Sequence, residues 1–151
     1  VYGMELTGAW RFDDHWSIKG NLTWHHGDLE SYVDVSSFQT VTEPLSRVQP
    51  LTVNFALRWD SPERKWWGEF ACSFVDEANR LSSGDKEDAQ RIPPGGTPGY
   101  ALLGLYGGYE FNEHLRANIA FENLLDQAYR VHGSGSNEPG FGVTTGITVS
   151  F

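Results

Sequence analysis

The chain predicts an all-β fold: an antiparallel transmembrane sheet that forms the last part of a larger barrel. Three observations predict it. Seven segments alternate apolar and polar residues with period two, the charges inside them share one parity, and the connections between them alternate short and long. The end of the chain shows the pattern most clearly. Phe141, Val143, Ile147, Val149 and Phe151 alternate with Gly142, Thr144, Gly146, Thr148 and Ser150. A strand between lipid and a wet lumen must be apolar on one parity only, and its ends favour aromatic residues.

Bulk composition conceals this. The 151 residues are 39% hydrophobic and 14% aromatic, with net charge −9, values that an acidic water-soluble domain would also show. Strands spend only every second residue on lipid, so an apolar run of about 20 residues is not expected, and the sequence has none. The acidic balance argues against nucleic acid as a partner, since phosphate contact needs clustered Lys and Arg. Cys72, alone, excludes an intramolecular disulfide and a multi-cysteine metal site; it reads as a small apolar strand residue. Val1 to Phe12 alternates like a strand and has no basic leader, so an export signal is expected upstream.

The predicted strands are Val1 to Phe12, Trp16 to His26, Leu45 to Trp59, Trp66 to Val75, Tyr100 to Phe111, Leu115 to Asn123 and Phe141 to Phe151. Each is near the roughly 9 to 11 residues a tilted strand needs to cross a bilayer. The apolar parity runs Met4, Leu6, Trp10, then Ile18, Leu22, Trp24, then Val53, Phe55, Leu57, and continues through Phe70, Phe74, Leu103, Leu105, Leu115, Ile119 and Phe121. Glu5, Arg11, Lys19, Arg58, Glu69, Glu110, Arg116 and Glu122 all fall on the other parity. The separation has a physical reason: Lys or Arg facing the bilayer midplane costs about 2–4 kcal/mol.

Short connections lie at Asp13 to His15, Asp60 to Lys65 and Asn112 to His114; long ones run from Gly27 to Pro44, Asp76 to Gly99 and Leu124 to Gly140. Outer-membrane barrels have short periplasmic turns and long extracellular loops, so the first strand descends from outside and the last ends in the periplasm. Phe12, Trp16, Trp59, Trp66, Trp67, Tyr109, Phe111 and Phe151 then form an aromatic belt at the periplasmic interface with outer-membrane lipid. Seven strands would leave two unpaired edges in hydrocarbon, which implies further strands upstream, one of them pairing with the last.

The segments RIPPGGTPGYALLGLYGGYEF and LRANIAFENLLDQAYRVHGSGSNEPG, with the terminal ITVSF, closely resemble the C-terminus of TonB-dependent outer-membrane receptors. The family motif falls on Asn123, Leu124, Asp126, Tyr129 and Arg130, followed by His132 and Gly133 and then Pro139-Gly140. Thr97-Pro98-Gly99-Tyr100, and Pro44-Leu45 with Arg47 and Pro50, are also similar to family patterns. Gly146, Ile147, Val149 and Phe151 resemble the signal read by the barrel assembly machinery. The resemblance implies a barrel of about 22 strands closed by an N-terminal plug. It implies import of a scarce nutrient, a ferric siderophore, haem or cobalamin, energised through TonB. The plug and the TonB-binding segment are not in this sequence, which supplies wall, three outer loops and the assembly signal.

Asn123 to Tyr129 reads as a structural lip, where Asn and Asp bond backbone groups that the ladder no longer satisfies. A binding role for the loop stays open. His25, Tyr100, Tyr106 and His132 are the candidates for ligand contact from lumen or loop. Adjacent His25 and His26 point to opposite faces, and parity turns His25 to the lumen. Imidazole suits iron or haem ligation, though a solvated histidine is the simpler reading. Asp85, Glu87 and Asp88 do not have calcium-loop spacing and read as solvated loop charge, as do Asp76 with Glu77 and Asp28 with Glu30. No catalytic residue, cofactor site or metal site is predicted: the G-x-S-x-G, H-E-x-x-H and phosphate-loop patterns are absent, and Ser73 has no histidine beside it in sequence. A passive porin and a water-soluble β-barrel or sandwich binding protein are the alternatives.

Overall fold

A computed structural model describes residues 1–34 and 38–151. Its main element is a seven-stranded sheet, antiparallel throughout, in the order β1-β2-β5-β6-β7-β8-β9. The strands are β1 (Tyr2–Arg11), β2 (Trp16–His26), β5 (Thr52–Asp60), β6 (Trp66–Val75), β7 (Tyr100–Asn112), β8 (Leu115–Glu122) and β9 (Gly142–Val149). A separate hairpin, β3 (Asp28–Asp34) with β4 (Gln39–Pro44), and one short helix, α1 (Ser83–Glu87), complete the described elements. Each sheet strand pairs with its nearest sheet neighbour in sequence, so the topology is a plain meander with the hairpin as an excursion.

The register carries one face unbroken across the sheet. Ile18 pairs with Leu57, Leu57 with Phe70, Phe70 with Leu105, Leu105 with Phe121, and Phe121 with Val143. Because the side-chain period is two, a one-residue slip in any pair would turn that whole row over. On the opposite face Lys19 pairs with Ala56, Ala56 with Ala71, Ala71 with Gly104, and Glu69 with Tyr106. The sheet curls toward this second face, since residues of β1 and of β8 and β9 line one cleft there. The apolar face is therefore convex and open: Leu6, Trp10, Phe74, Leu105, Ile119 and Ile147 are all exposed. A sheet that leaves so much apolar surface uncovered has its core turned outward.

The short turns are fixed by one polar side chain each. Asp13 Oδ1 accepts from the His15 and Trp16 amides at 2.7 and 2.8 Å. Those two bonds, His15 first, hold the Asp13 carboxyl below its ordinary value. Ser61 Oγ accepts from the Lys65 and Trp66 amides at 3.1 and 3.2 Å, and Asn112 Oδ1 from His114 N at 2.9 Å. At the end of β7 the register shifts between Glu110 and Asn112, a bulge beside which the Tyr109 and Phe111 rings meet edge to face with centroids 4.8 Å apart.

The strand that the sequence places at Leu45 to Trp59 begins only at Thr52. Pro50 lacks the amide a ladder needs, and Arg47 adopts φ 57°, so this stretch is a loop running up to the strand. The last strand likewise ends at Val149, leaving Phe141 and Phe151 outside the ladder. Two of the long connections also carry elements among the described residues. That from Gly27 holds the β3–β4 hairpin, and that from Asp76 holds α1 and a bridge between Ala78 and Thr97. Buried Leu81 and Ile92 lie in this second connection, and Ile92 is the most buried apolar residue described.

Candidate functional site

The concave face carries a cleft of about 720 Å³, floored by small residues (Ala9, Ala56, Ala71, Gly104) and bordered by larger polar ones. Lys19 Nζ reaches over Ala56 to Glu69 Oε2, 3.2 Å away, which is possible because the strand between them presents only a methyl group. Toward the long loops, Asn54 Nδ2 donates to Asn21 Oδ1 at 2.9 Å, and Ser73 Oγ donates to Asn54 Oδ1, a polar ladder across three strands. On the far wall stand Tyr106, Glu122 and Tyr129. Tyr106 lies flat over Gly104, where an added Cβ would come within 2.8 Å of its ring and hydroxyl. Tyr129 packs against Tyr100 with centroids 4.6 Å apart and ring planes tilted by 43°.

Trp67 is a correction to the predicted belt. Its indole lies on the concave face, over Gly108, where a Cβ would sit 2.4 Å from Nε1. The Arg58 guanidinium carbon stands 4.2 Å from a Trp67 ring centroid, and Arg58 Nη2 pairs with Asp60 Oδ1 at 2.8 Å. Of two consecutive tryptophans a strand can turn only one outward, and that one is Trp66, 4.4 Å from Trp59 between ring centroids. Phe12, packed edge-on against Trp10, and Trp16, opposite Trp59, lie at the same short-turn end of the convex face, with Tyr109 and Phe111. Phe151 is fully exposed beyond β9.

The family-motif residues act as backbone partners at the lip. Asn123, buried with φ 49°, accepts from Gln127 N at 2.9 Å through Oδ1 and donates through Nδ2 to the Gln127 and Pro139 carbonyls. Leu124 N donates to Leu103 O, prolonging the β7–β8 contact by one bond. Asp126 Oδ1 accepts from Phe141 N at 2.8 Å, and a Cβ on Gly140 would stand 2.2 Å from that same oxygen. Arg130 Nε donates to Asn137 Oδ1 at 3.1 Å, and Gly133 turns the chain at φ 81°. The geometry makes this stretch a clasp that returns the chain to β9.

The ligand-contact candidates separate. His25 stays on the concave parity, 3.8 Å from Glu5, and Tyr100 and Tyr106 face the same side. His132 is a correction: it is 6% exposed, its Nδ1 is hydrogen-bonded to Thr97 Oγ1 at 2.9 Å, and its carbonyl accepts from Gln49. Burial pushes its imidazole below the ordinary value, a keystone between loops rather than an open ligand. Asp85 is a second correction. It is 2% exposed, closes a capping box with Ser82 at the start of α1, and accepts from Ser46 Oγ at 2.6 Å and from Arg47 N. Burial pushes its carboxyl up, and the bonds from Ser46, Ser82 and Arg47 more than offset this, leaving it lowered. Asp28, too, is engaged, bonded to Arg80 at 2.8 Å and to His26 at 3.1 Å. Among the described residues no three His, Cys, Asp or Glu side chains gather as a metal ion would require.

The decisive comparison is with families. A family model described as TonB dependent receptor-like, beta-barrel, matches residues 1–124. The chain belongs to that family. Its fold is that of a TonB-dependent receptor barrel, represented by a part of the wall. Among solved structures, the copper transporter OprC matches with TM-score 0.76 at 19% identity, over 99% of this chain and 23% of that one. The chain thus spans about a quarter of the length of that structural relative. No curated protein matches it. TonB-dependent receptors are an outer-membrane family of transporters and receptors, which agrees with an antiparallel wall that is apolar outside and polar inside.

Proposed function

We propose that the chain is the C-terminal part of the barrel of a TonB-dependent transporter integral to the outer membrane. It takes up a scarce nutrient, an iron complex such as a ferric siderophore or haem. The observation that carries the reading is the two-faced sheet. A continuous apolar row from Ile18 to Val143 faces lipid, and the cleft with its Asn21, Asn54 and Ser73 ladder faces a lumen that holds the plug and the cargo. Both edges of the sheet are unpaired, which fits a wall continued by earlier strands, a TonB-coupled plug and the barrel assembly machinery as partners. Tyr100, Tyr106 and Tyr129 offer ring faces and hydroxyls, suited to a chelated or planar cargo rather than a bare ion.

The relative's name, a copper transporter, favours copper as the second reading. Both are tested in the organism that carries the gene. Deletion should abolish uptake of one labelled cargo among ferric siderophores, haem, copper and cobalamin, and the loss should be reproduced by deleting TonB or collapsing the proton gradient. Loss of copper uptake alone would replace iron by copper. Uptake that survives both treatments would remove the transporter reading, and cargo entry independent of the gradient would make the chain part of a passive pore.

A further inference from the structure

We propose that the cleft wall formed by Tyr106, Glu122 and Tyr129 binds a positively charged group of the cargo, so that the transporter takes cationic and excludes anionic complexes. The inference rests on the transport reading above and names the class of substrate.

Four observations carry it. Glu122 lines the cleft together with both tyrosines, near enough to act electrostatically on both hydroxyls, and Glu138 adds to its effect on Tyr129; Glu122 is exposed and, among the described residues, in no ion pair. The other acid of the cleft, Glu69, acts on Tyr106 from the opposite side and is already bonded to Lys19, which among the described residues is the one basic side chain in the lining, so no unpaired base of that lining offsets Glu122. Three arginines around the mouth are ion-paired, Arg47 and Arg91 both to Asp88 and Arg80 to Asp28, and Arg130 is turned to Asn137. Finally, the chain carries net charge −9, so an approaching anion meets a repulsive field and a cation an attractive one.

A carboxylate flanked by tyrosine faces suits a cation for two separate reasons. The carboxylate supplies charge, and the rings present the negative faces of their quadrupoles. The volume of about 720 Å³ admits a small complex beside a plug.

The test uses the full-length receptor with its plug, in detergent micelles, and two probes of similar size: hexaamminecobalt(III), a compact trivalent cation, and hexacyanoferrate(III), a trivalent anion. Equilibrium dialysis should show saturable binding of the cation and none of the anion. Glu122→Gln should weaken cation binding about tenfold. Tyr106→Leu should weaken it several-fold, while Tyr106→Phe, which keeps the ring, should leave it within twofold. Glu87→Gln, at an exposed acid at the end of α1, should change nothing and so controls for diffuse surface charge. Heat-modifiable migration in gels confirms that each variant is folded. Absence of saturable cation binding, equal binding of the anion, a silent Glu122→Gln, or an effect of Glu87→Gln as large as that of Glu122→Gln would each overturn the proposal. A receptor that binds the cation through Glu122 yet takes up no cargo in an energised manner would keep the subsite and lose the transport reading. One that transports cargo and is indifferent to Glu122 would do the reverse.

Discussion

Placing an arginine at Leu105 tests the two-faced wall in the middle of its apolar row. Leu105 is 45% exposed and stands in the middle of the convex row, with Phe70 paired on one side and Phe121 on the other. Neither neighbour can accept a hydrogen bond from a guanidinium, and no carboxylate shares that face, since Glu69, Glu110 and Glu122 all lie on the other parity. In lipid, an arginine at such depth costs about 2–4 kcal/mol. At about 1.4 kcal/mol per factor of ten, that lowers the folding equilibrium in the membrane roughly 30- to 1000-fold. Thr144→Arg is the matched control, exposed on the concave parity of β9 opposite Ala120, and it should cost under about 1 kcal/mol. The full-length receptor is assembled into outer membranes, and its folded fraction is read by heat-modifiable migration, then by urea titration in micelles. Leu105→Arg should fail to assemble or unfold at much lower denaturant, while Thr144→Arg assembles. If Leu105→Arg assembled like wild type, or both variants failed equally, the convex face would not be facing lipid.

Three further outcomes follow from the outer cap and the lip. Asp85→Ala removes the acceptor of bonds from Ser46, Ser82 and Arg47; at about 1.5–3 kcal/mol for a hydrogen bond to a charged group, α1 and the Ser46–Arg47 stretch should exchange amide hydrogens at least tenfold faster, with the sheet unchanged. His132 is held neutral by burial below its ordinary 6.5, so the unfolded cap binds the proton more readily; the stability from neutral His132 is present above about pH 6.5 and falls as pH drops from there toward the lowered folded value. Amide exchange of the cap, corrected for its intrinsic pH dependence, should therefore quicken between pH 7 and 5, and His132→Gln should remove that component. Gly140→Ala forces a Cβ onto Asp126 Oδ1 and should cost about 1–3 kcal/mol in urea titrations, less than additively with Asp126→Ala, because both act on one contact.

The strand set was legible because lipid and water impose opposite demands on neighbouring residues of one strand. Met4, Leu6 and Trp10 could be assigned a face without knowing what they touch, and the registers pair them with Trp24, Leu22 and Ile18 on the same face. The turns were legible for a local reason: Asp13, Ser61 and Asn112 each bond amides within a few residues. The Leu45 to Leu51 stretch misled because Pro50, which lacks an amide, and the left-handed turn at Arg47 matter more there than the pattern. The β3–β4 hairpin went unread because Gly27 to Pro44 is rich in small and acidic residues; the strand-favouring residues Tyr32, Val33, Thr40, Val41 and Thr42 were the available signal.

The cleft and the cap were less legible. Trp67 carries the same sequence signal as Trp66, and the strand's parity alone separates them; Arg58 and Gly108 then hold the ring inside. Asp85 and His132 look like loop charge and loop histidine until Ser46 and Arg47, far off in sequence, and Thr97 come beside them.

By itself the sequence determined which residues face out and which face in, where the chain turns, and to which family it belongs, because each depends on side-chain chemistry repeated at short range. Tertiary structure alone decided which polar groups are buried, which charges are already paired, and which side chains meet across the cleft. Those depend on contacts between residues tens of positions apart, such as Lys19 with Glu69 and Ser46 with Asp85, and only the register of the strands and the closure of the loops bring them within bonding distance.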